Sequence, residues 1–222
     1  MGENAWRDEE DLPLARRVET QYYLRSGGKL SLEPSRNDER PDTYSYDPLD
    51  PVVDPHEGAQ GPYDQSPLET REDVLVYQTE PLPKDVEVTG HIEVELFAAS
   101  SAKDTDFVVR LLDVHPDGRA FNLMSPTVEV IRARYRDGED KVSLLEPGVI
   151  VPIRLNRLVT SNLFRAGHRI RIHVTSSLYP HFDRNPNTGE PIGKSARTEV
   201  ARQEIHHNAS YPSRIVLPVT PR

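Results

Sequence analysis

The most constraining feature of this chain is a strict two-residue alternation between positions 86 and 96. Val86, Val88, Ile92, Val94 and Leu96 interleave with Glu87, Thr89, His91, Glu93 and Glu95. In a strand successive side chains point to opposite faces, whereas a helix would scatter this pattern around its axis. The stretch therefore reads as a half-buried antiparallel strand with its glutamates in water. Positions 169–176, RIRIHVTS, repeat the pattern, with Ile170, Ile172 and Val174 inward and Arg169, Arg171, His173 and Thr175 outward. Further strands are expected in VLVYQ, DFVVRLLDV, TVEVIRARY, VIVPIRL and RIVLPV, bounded by turn signals such as Pro116-Asp117-Gly118, Asp137-Gly138 and Ala166-Gly167. DFVVRLLDV is apolar on both faces, which suits a central strand. The one segment with helical periodicity is SARTEVARQEIHH. Many short strands with long connections predict an all-β chain, a jelly-roll β-sandwich.

Two regions separate by texture. Residues 74–222 hold the main strands, whereas residues 1–73 form an irregular stretch crowded with proline, aspartate and glycine. The 20 prolines among 222 residues are about twice the usual share. Two short β-like pieces, QYYL at 21–24 and GKLSL at 28–32, flank a turn at Gly27 and Gly28. Tyr22, Tyr23, Tyr44, Tyr46 and Tyr63 bring more aromatic surface than a free linker needs. The first 73 residues therefore read as an ordered wrap packed on the strands behind them, so that 1–222 forms one domain.

A net charge of −9 repels nucleic-acid phosphates and anionic lipid surfaces, so neither is expected as a partner. No apolar run approaches the roughly 20 residues that span a bilayer, and no signal-peptide pattern opens the chain. Cysteine is absent, which removes disulfides and thiol chemistry and leaves the compartment undecided, a cytoplasmic setting being favoured.

The densest set of chemically active side chains lies in SSLYPHFDRNPNTGE, Ser176 to Glu190. It offers serine, histidine and aspartate within eight residues, but side chains two apart on an extended segment stand roughly 6–7 Å apart, and no oxyanion hole accompanies them. A hydrolase elbow requires G-x-S-x-G; here Gly193-Lys194-Ser195 is followed by Arg197 at the second glycine's place. GEPIGKS is one residue short of a P-loop, and Pro191 removes an amide that would bind phosphate. Asp183, Asn185 and Asn187 alternate as in a calcium loop, but Thr188 and Lys194 occupy the places of its glycine and bidentate glutamate. A tight turn built on Asn, Pro and Gly is preferred. No histidine pair has metalloprotease spacing, and Asn208-Ala209-Ser210 is a glycosylation sequon only in a glycosylating compartment. No cofactor, metal or catalytic residue is expected.

The order of landmarks resembles a known family. MGENAWRDEEDLPL is similar to the join between the catalytic α/β-hydrolase part and the C-terminal domain of cocaine-esterase-like and X-Pro dipeptidyl-peptidase-like (CocE/NonD) serine hydrolases. Trp6 and Arg7 match, and Leu12 stands where the family has a second tryptophan. The resemblance continues through Tyr22-Tyr23-Leu24, Gly28-Lys29-Leu30-Ser31, Asp42 to Pro48, Gly61-Pro62-Tyr63-Asp64-Gln65 and the strand block from Val74. It closes with Arg132-Ala133-Arg134-Tyr135-Arg136, AGHRIRIHVTSSLYPHFDRNPNTG and PSRIVLPV, and so covers essentially the whole chain.

The resemblance implies a galactose-binding-like jelly roll that is non-catalytic and packs on an α/β-hydrolase catalytic domain absent from these residues. It implies that the chain is an excised domain or a split-gene product, that it closes one side of the hydrolase's pocket, and that a homodimeric contact is open to it. Ser176, His181 and Asp183 would then be structural. The family's pocket-facing loop corresponds to Pro51–Gln60, shorter here and without the leucine–phenylalanine pair of some members, which leaves Val52, Val53, His56 and Tyr63 as pocket-rim or interface candidates. The alternative is a free-standing β-sandwich module that binds a carbohydrate or a protein.

Overall fold

The computed structural model describes residues 1–56, 61–123, 128–191, 193–194 and 196–222. It is all-β: twelve strands and two short 3-10 turns, with no α-helix among the described residues. The strands are β1 (Val18–Arg25), β2 (Lys29–Ser31), β3 (Asp42–Tyr46), β4 (Leu75–Gln78), β5 (Val86–Ser100) and β6 (Asp106–Val114), then β7 (Ala120–Asn122), β8 (Val128–Arg132), β9 (Val151–Phe164), β10 (Arg169–Thr175), β11 (Ala201–His206) and β12 (Arg214–Thr220). The 3-10 turns are Ser66–Thr70 and Ala133–Tyr135.

All twelve belong to one hydrogen-bonded sheet in the order β3-β11-β5-β12-β1-β2-β4-β10-β6-β7, with β9 paired to β5 and β8 to β6. The path is nearly severed in the middle. β2 and β4 share a single parallel pair, Lys29 with Gln78, and the Gln78 amide donates to the Gly28 carbonyl at 2.9 Å. Seven strands lie on one side of that link and five on the other. Both groups feed one core: Val88, Ile92, Val94 and Leu96 of β5, Ile153 and Leu155 of β9, and Tyr46 of β3 join Phe107, Val109 and Leu111 of β6 and Ile170, Ile172 and Val174 of β10. Each fully buried aliphatic or aromatic side chain there contributes about 1.5–3 kcal/mol relative to exposure, so the core is the main term holding the two groups together.

β6 is the central strand that its sequence announces, with all nine residues buried. It pairs with β10 along one edge and with β8 and β7 in succession along the other. Val108, Leu112 and Val114 face away from the main core and enter two smaller clusters, one with Val52, Leu68, Val74 and Leu178 and one with Ala120.

Two expectations fail on the outward faces. Glu87 and Thr89, expected in water, are buried. The N-terminal segment covers them: the Arg7 guanidinium donates to Glu87 at 2.9 Å, Arg222 donates at 3.0 Å, and the Thr89 and Ser161 hydroxyls share a 3.0 Å bond. The bond to Arg7, with burial opposing it, holds the Glu87 carboxyl below its ordinary range. Arg171, His173 and Thr175 are likewise buried; Glu69 of the first 3-10 turn lies over Arg171 and His173 and takes both. An alternation rule sees one strand and cannot see a second layer laid over its polar face.

The described residues of SARTEVARQEIHH, from Ala196 onward, are not helical. The second half of this segment contains β11, which runs between β3 and β5; Ala201, Gln203 and Ile205 are buried at alternate positions, and His206 at its end is buried as well. The first 73 residues also contribute more strand than expected. QYYL and GKLSL form the β1–β2 hairpin, with Gly27 and Gly28 at φ of 76° and 69°. DTYSY, unassigned from sequence, is β3, and its buried Tyr44 and Tyr46 explain its aromatic content.

Candidate functional site

The Ser–His–Asp stretch leaves the end of β10, and its side chains are engaged in packing. The Ser176 hydroxyl shares a 2.9 Å hydrogen bond with the Tyr44 hydroxyl, and Ser177 Oγ accepts the Val52 amide at 2.9 Å. His181 turns away from Asp183 and places Nε2 2.9 Å from Asp54 Oδ2. Among the described residues no serine hydroxyl is hydrogen-bonded to a histidine ring, so the nucleophile–base pair that activates a serine is not assembled there. Beyond His181 the chain turns, with Asn187 and Gly189 in the left-handed region at φ of 65° and 73°.

Asn185, considered as a calcium ligand, is a clamp instead. Its Nδ2 donates to Asp104 Oδ2 at 2.9 Å and to Asp106 Oδ1 at 2.7 Å. Arg134 Nε reaches Asp104 at 2.8 Å, and Arg132 Nε reaches Asp106 at 2.9 Å. The Tyr46 hydroxyl donates to the Asn185 carbonyl at 3.2 Å. Burial pushes the Asp106 carboxyl up, and the Arg132 partner opposes that shift.

The four rim candidates lie on one run of chain but differ in exposure. Val52 is buried, and its carbonyl accepts the Tyr179 amide at 2.8 Å. Val53 is half exposed and forms a parallel bridge with Tyr179. His56 stacks on Tyr63, with ring centroids 4.5 Å apart and planes at 20°. The expected rim loop extends through residues 57–60, which lie outside the described residues.

Below this run the Gly61–Gln65 motif docks on β7: the Tyr63 amide donates to Asn122 Oδ1 at 2.7 Å, and the Gln65 amide to the Ala120 carbonyl at 2.7 Å. Burial disfavours the charge on Asp64, but the Ser66 and Ala120 amides outweigh it and hold the carboxyl below its usual range. Arg110, buried on the outer face of β6, ties the segment down through Asp54 at 3.3 Å and through Gln65.

Beside His181 the surface is grooved. Leu49, Val53 and Tyr179 are exposed, and the Arg184 guanidinium stands 5.5 Å from the centroid of the Tyr179 ring. A cavity of about 580 Å³ is lined by Leu49, Tyr179, Arg184 and Arg197, among others. A second of about 400 Å³, lined by Phe182, Tyr135 and His181, shares Arg132 and Asp183 with it. Trp6 is wholly exposed and Leu12 largely so. Sequence reasoning missed Arg110, Asp104 and the set Asp113, His115 and His168, whose ligand atoms all lie within 4.8 Å of one another. For the last set the only signal was a histidine at each of two strand ends, which means nothing until β6 and β10 are known to pair. No helix among the described residues is long and apolar enough to cross a membrane.

A family model described as the X-Pro dipeptidyl-peptidase C-terminal non-catalytic domain matches residues 1–216. The cocaine esterase of Rhodococcus sp. (strain MB1 Bresler) is 44% identical over 239 residues, an alignment covering 100% of this chain and 41% of that protein. Among solved structures, an aminopeptidase from the marine sediment archaeon Thaumarchaeota archaeon superposes with a TM-score of 0.89 at 30% identity, covering 99% of this chain and 39% of that one. An α-amino acid ester hydrolase gives 0.88 at 30% identity, covering 98% and 40%. The chain thus spans about two-fifths of the length of these relatives.

Proposed function

Because this chain belongs to the family of X-Pro dipeptidyl-peptidase C-terminal non-catalytic domains, we propose that it works as the accessory domain of a serine hydrolase and has no turnover of its own. Its partner is an α/β-hydrolase catalytic domain, whose active site it covers and shapes. The substrates of the whole protein are α-amino-acid esters, acyl esters or X-Pro peptides, the classes among which the named relatives fall. The observation that carries this reading is the engagement of Ser176, Ser177 and His181 with Tyr44, Val52 and Asp54, which leaves the one triad-like stretch without an activated nucleophile.

The surface supports the same reading. Leu49, Val53 and Tyr179 are large exposed side chains, Leu49 and Tyr179 lining a groove, and Trp6 is bare; covering such side chains is what a docking partner would do. Val53, with the stacked His56 and Tyr63 beside it, forms the pocket rim, and buried Val52 anchors that rim to the body. Residues 1–73 act as the wrap of a single domain, and a homodimeric contact uses surface the hydrolase leaves free. The purified chain, assayed with p-nitrophenyl esters and X-Pro anilides, should give no hydrolysis above buffer. Linked to a catalytic domain of this family, it should show hydrogen-exchange protection at Leu49, Val53 and Tyr179. Turnover that persists through rigorous purification, or no protection at that face, refutes the reading.

A further inference from the structure

Away from that face, the pairing of β6 with β10 brings together three side chains that neither core nor docking surface requires. Arg169 pairs with Val114, which sets His168, just before β10, across from His115, just after β6. Asp113 and His115 are two residues apart on an extended segment and so share a face. His168 Nδ1 is 2.8 Å from Asp113 Oδ1. The two imidazole centroids stand 4.4 Å apart with planes at 42°.

The three line a cavity of about 390 Å³ together with Phe121, Leu123, Asn162 and Leu163. Asn162 supplies an independent observation. It is only 2% exposed, yet its side-chain Nδ2 has no hydrogen-bond acceptor. A buried amide donor left unpaired costs about 1–3 kcal/mol, and here it belongs to a side chain on the wall of the cavity. A plain Asp113–His168 hydrogen bond accounts for two of these residues, whereas the His115 ring is held by packing on Phe121 and His168 alone and the Asn162 amide stays unpaired.

We propose that Asp113, His115 and His168 bind one divalent transition ion of the zinc class, with a fourth coordination position open on the cavity side. Two imidazoles and a carboxylate with a fourth position open is a donor set zinc accepts, at bond lengths of about 2.0–2.2 Å. Those lengths bring ligand atoms to roughly 3.3–3.5 Å of one another, a closure within reach of side-chain rotation from the present spread. Binding replaces the His168–Asp113 hydrogen bond with two bonds to the ion, His168 coordinating through Nδ1 as the neutral imidazole with its proton on Nε2.

The full chain, freed of metal with a chelator and dialysed, is titrated with Co²⁺, whose visible absorption reports low-symmetry nitrogen and oxygen coordination. One equivalent should saturate the signal, and Zn²⁺ should abolish it. His168→Ala and His115→Phe should each weaken binding at least about tenfold, whereas His206→Gln should bind as the parent does. His115→Phe decides the matter if His168→Ala unfolds, because the His115 ring already packs on Phe121 at 4.7 Å and a phenyl ring keeps that contact; circular dichroism checks its fold. No saturable signal, parental affinity in His115→Phe, or loss of binding in His206→Gln overturns the proposal.

Discussion

Replacing Asp54 by alanine tests whether the segment over β6 is integral to the fold. Arg110 is buried in the middle of β6, and its charged partners among the described residues reduce to Asp54, with the Gln65 carbonyl as a neutral second acceptor. Burial already pulls the Arg110 pKa down, and Asp54 is what opposes it. Asp54→Ala leaves a cation in a dry site with one amide oxygen. Breaking a buried pair from one side costs about 3–5 kcal/mol. With a urea m-value of about 3 kcal/mol/M, the upper end for domains of this size, the unfolding midpoint should fall by about 1–1.7 M. Arg110→Met removes the charge that needs compensation, so the double variant should recover part of the loss, with a coupling energy of at least about 1 kcal/mol in the cycle. A loss under about 1 kcal/mol for Asp54→Ala, or strict additivity in the cycle, would refute the claim that this pair pins the segment to the strand.

Two other perturbations have signs set by the structure. A Cβ on Gly28 would lie 2.6 Å from the Val76 carbonyl oxygen at a φ of 69°, whereas one on Gly27 meets nothing within 4 Å; thermal melts should therefore show Gly28→Ala to be the more destabilising by well over 1 kcal/mol, roughly the cost of strain alone, and equal effects would contradict the view that Gly28 holds the junction of the two strand groups. Burial lowers the His173 pKa, as do the charges of Arg110 and Arg171, and Glu69 only partly offsets them. The unfolded chain then binds the proton first, so this contribution to stability is complete above about pH 6.5 and is lost as pH falls below it. His173→Gln should flatten the decline in urea midpoint between pH 7 and pH 5, and an unchanged slope would remove His173 from the account.

Strand identity was readable wherever one face met the core and the other met water, as at His91 and Glu93 of β5. It was readable too in β6, whose apolar run fits a strand covered on both sides. The failures share one cause. Glu87, Arg171 and His173 look solvent-facing in their own strands, and only the segments laid over them, carrying Arg7 and Glu69, bury them. Β11 misled for a related reason: Gln203 and His206 interrupt its apolar pattern, yet Gln203 is buried with its amide on Thr105. At the candidate site the run Ser176–Asp183 was visible as chemistry, but its partners lie more than a hundred residues away at Tyr44, Val52 and Asp54. Periodicity carries no information about pairings of that range. The family resemblance did, because landmarks kept in order imply the fold that brings such residues together.

The accessory role proposed above requires that none of the serines act as an activated nucleophile, and among the described residues no serine hydroxyl is hydrogen-bonded to a histidine ring. Treating the purified chain with a fluorophosphonate, which traps such serines covalently, and weighing the intact protein tests it most directly. The account predicts a single species at the unmodified mass of 25.2 kDa after prolonged exposure. A stoichiometric adduct mapped to Ser176, Ser177 or any other serine of this chain would contradict it.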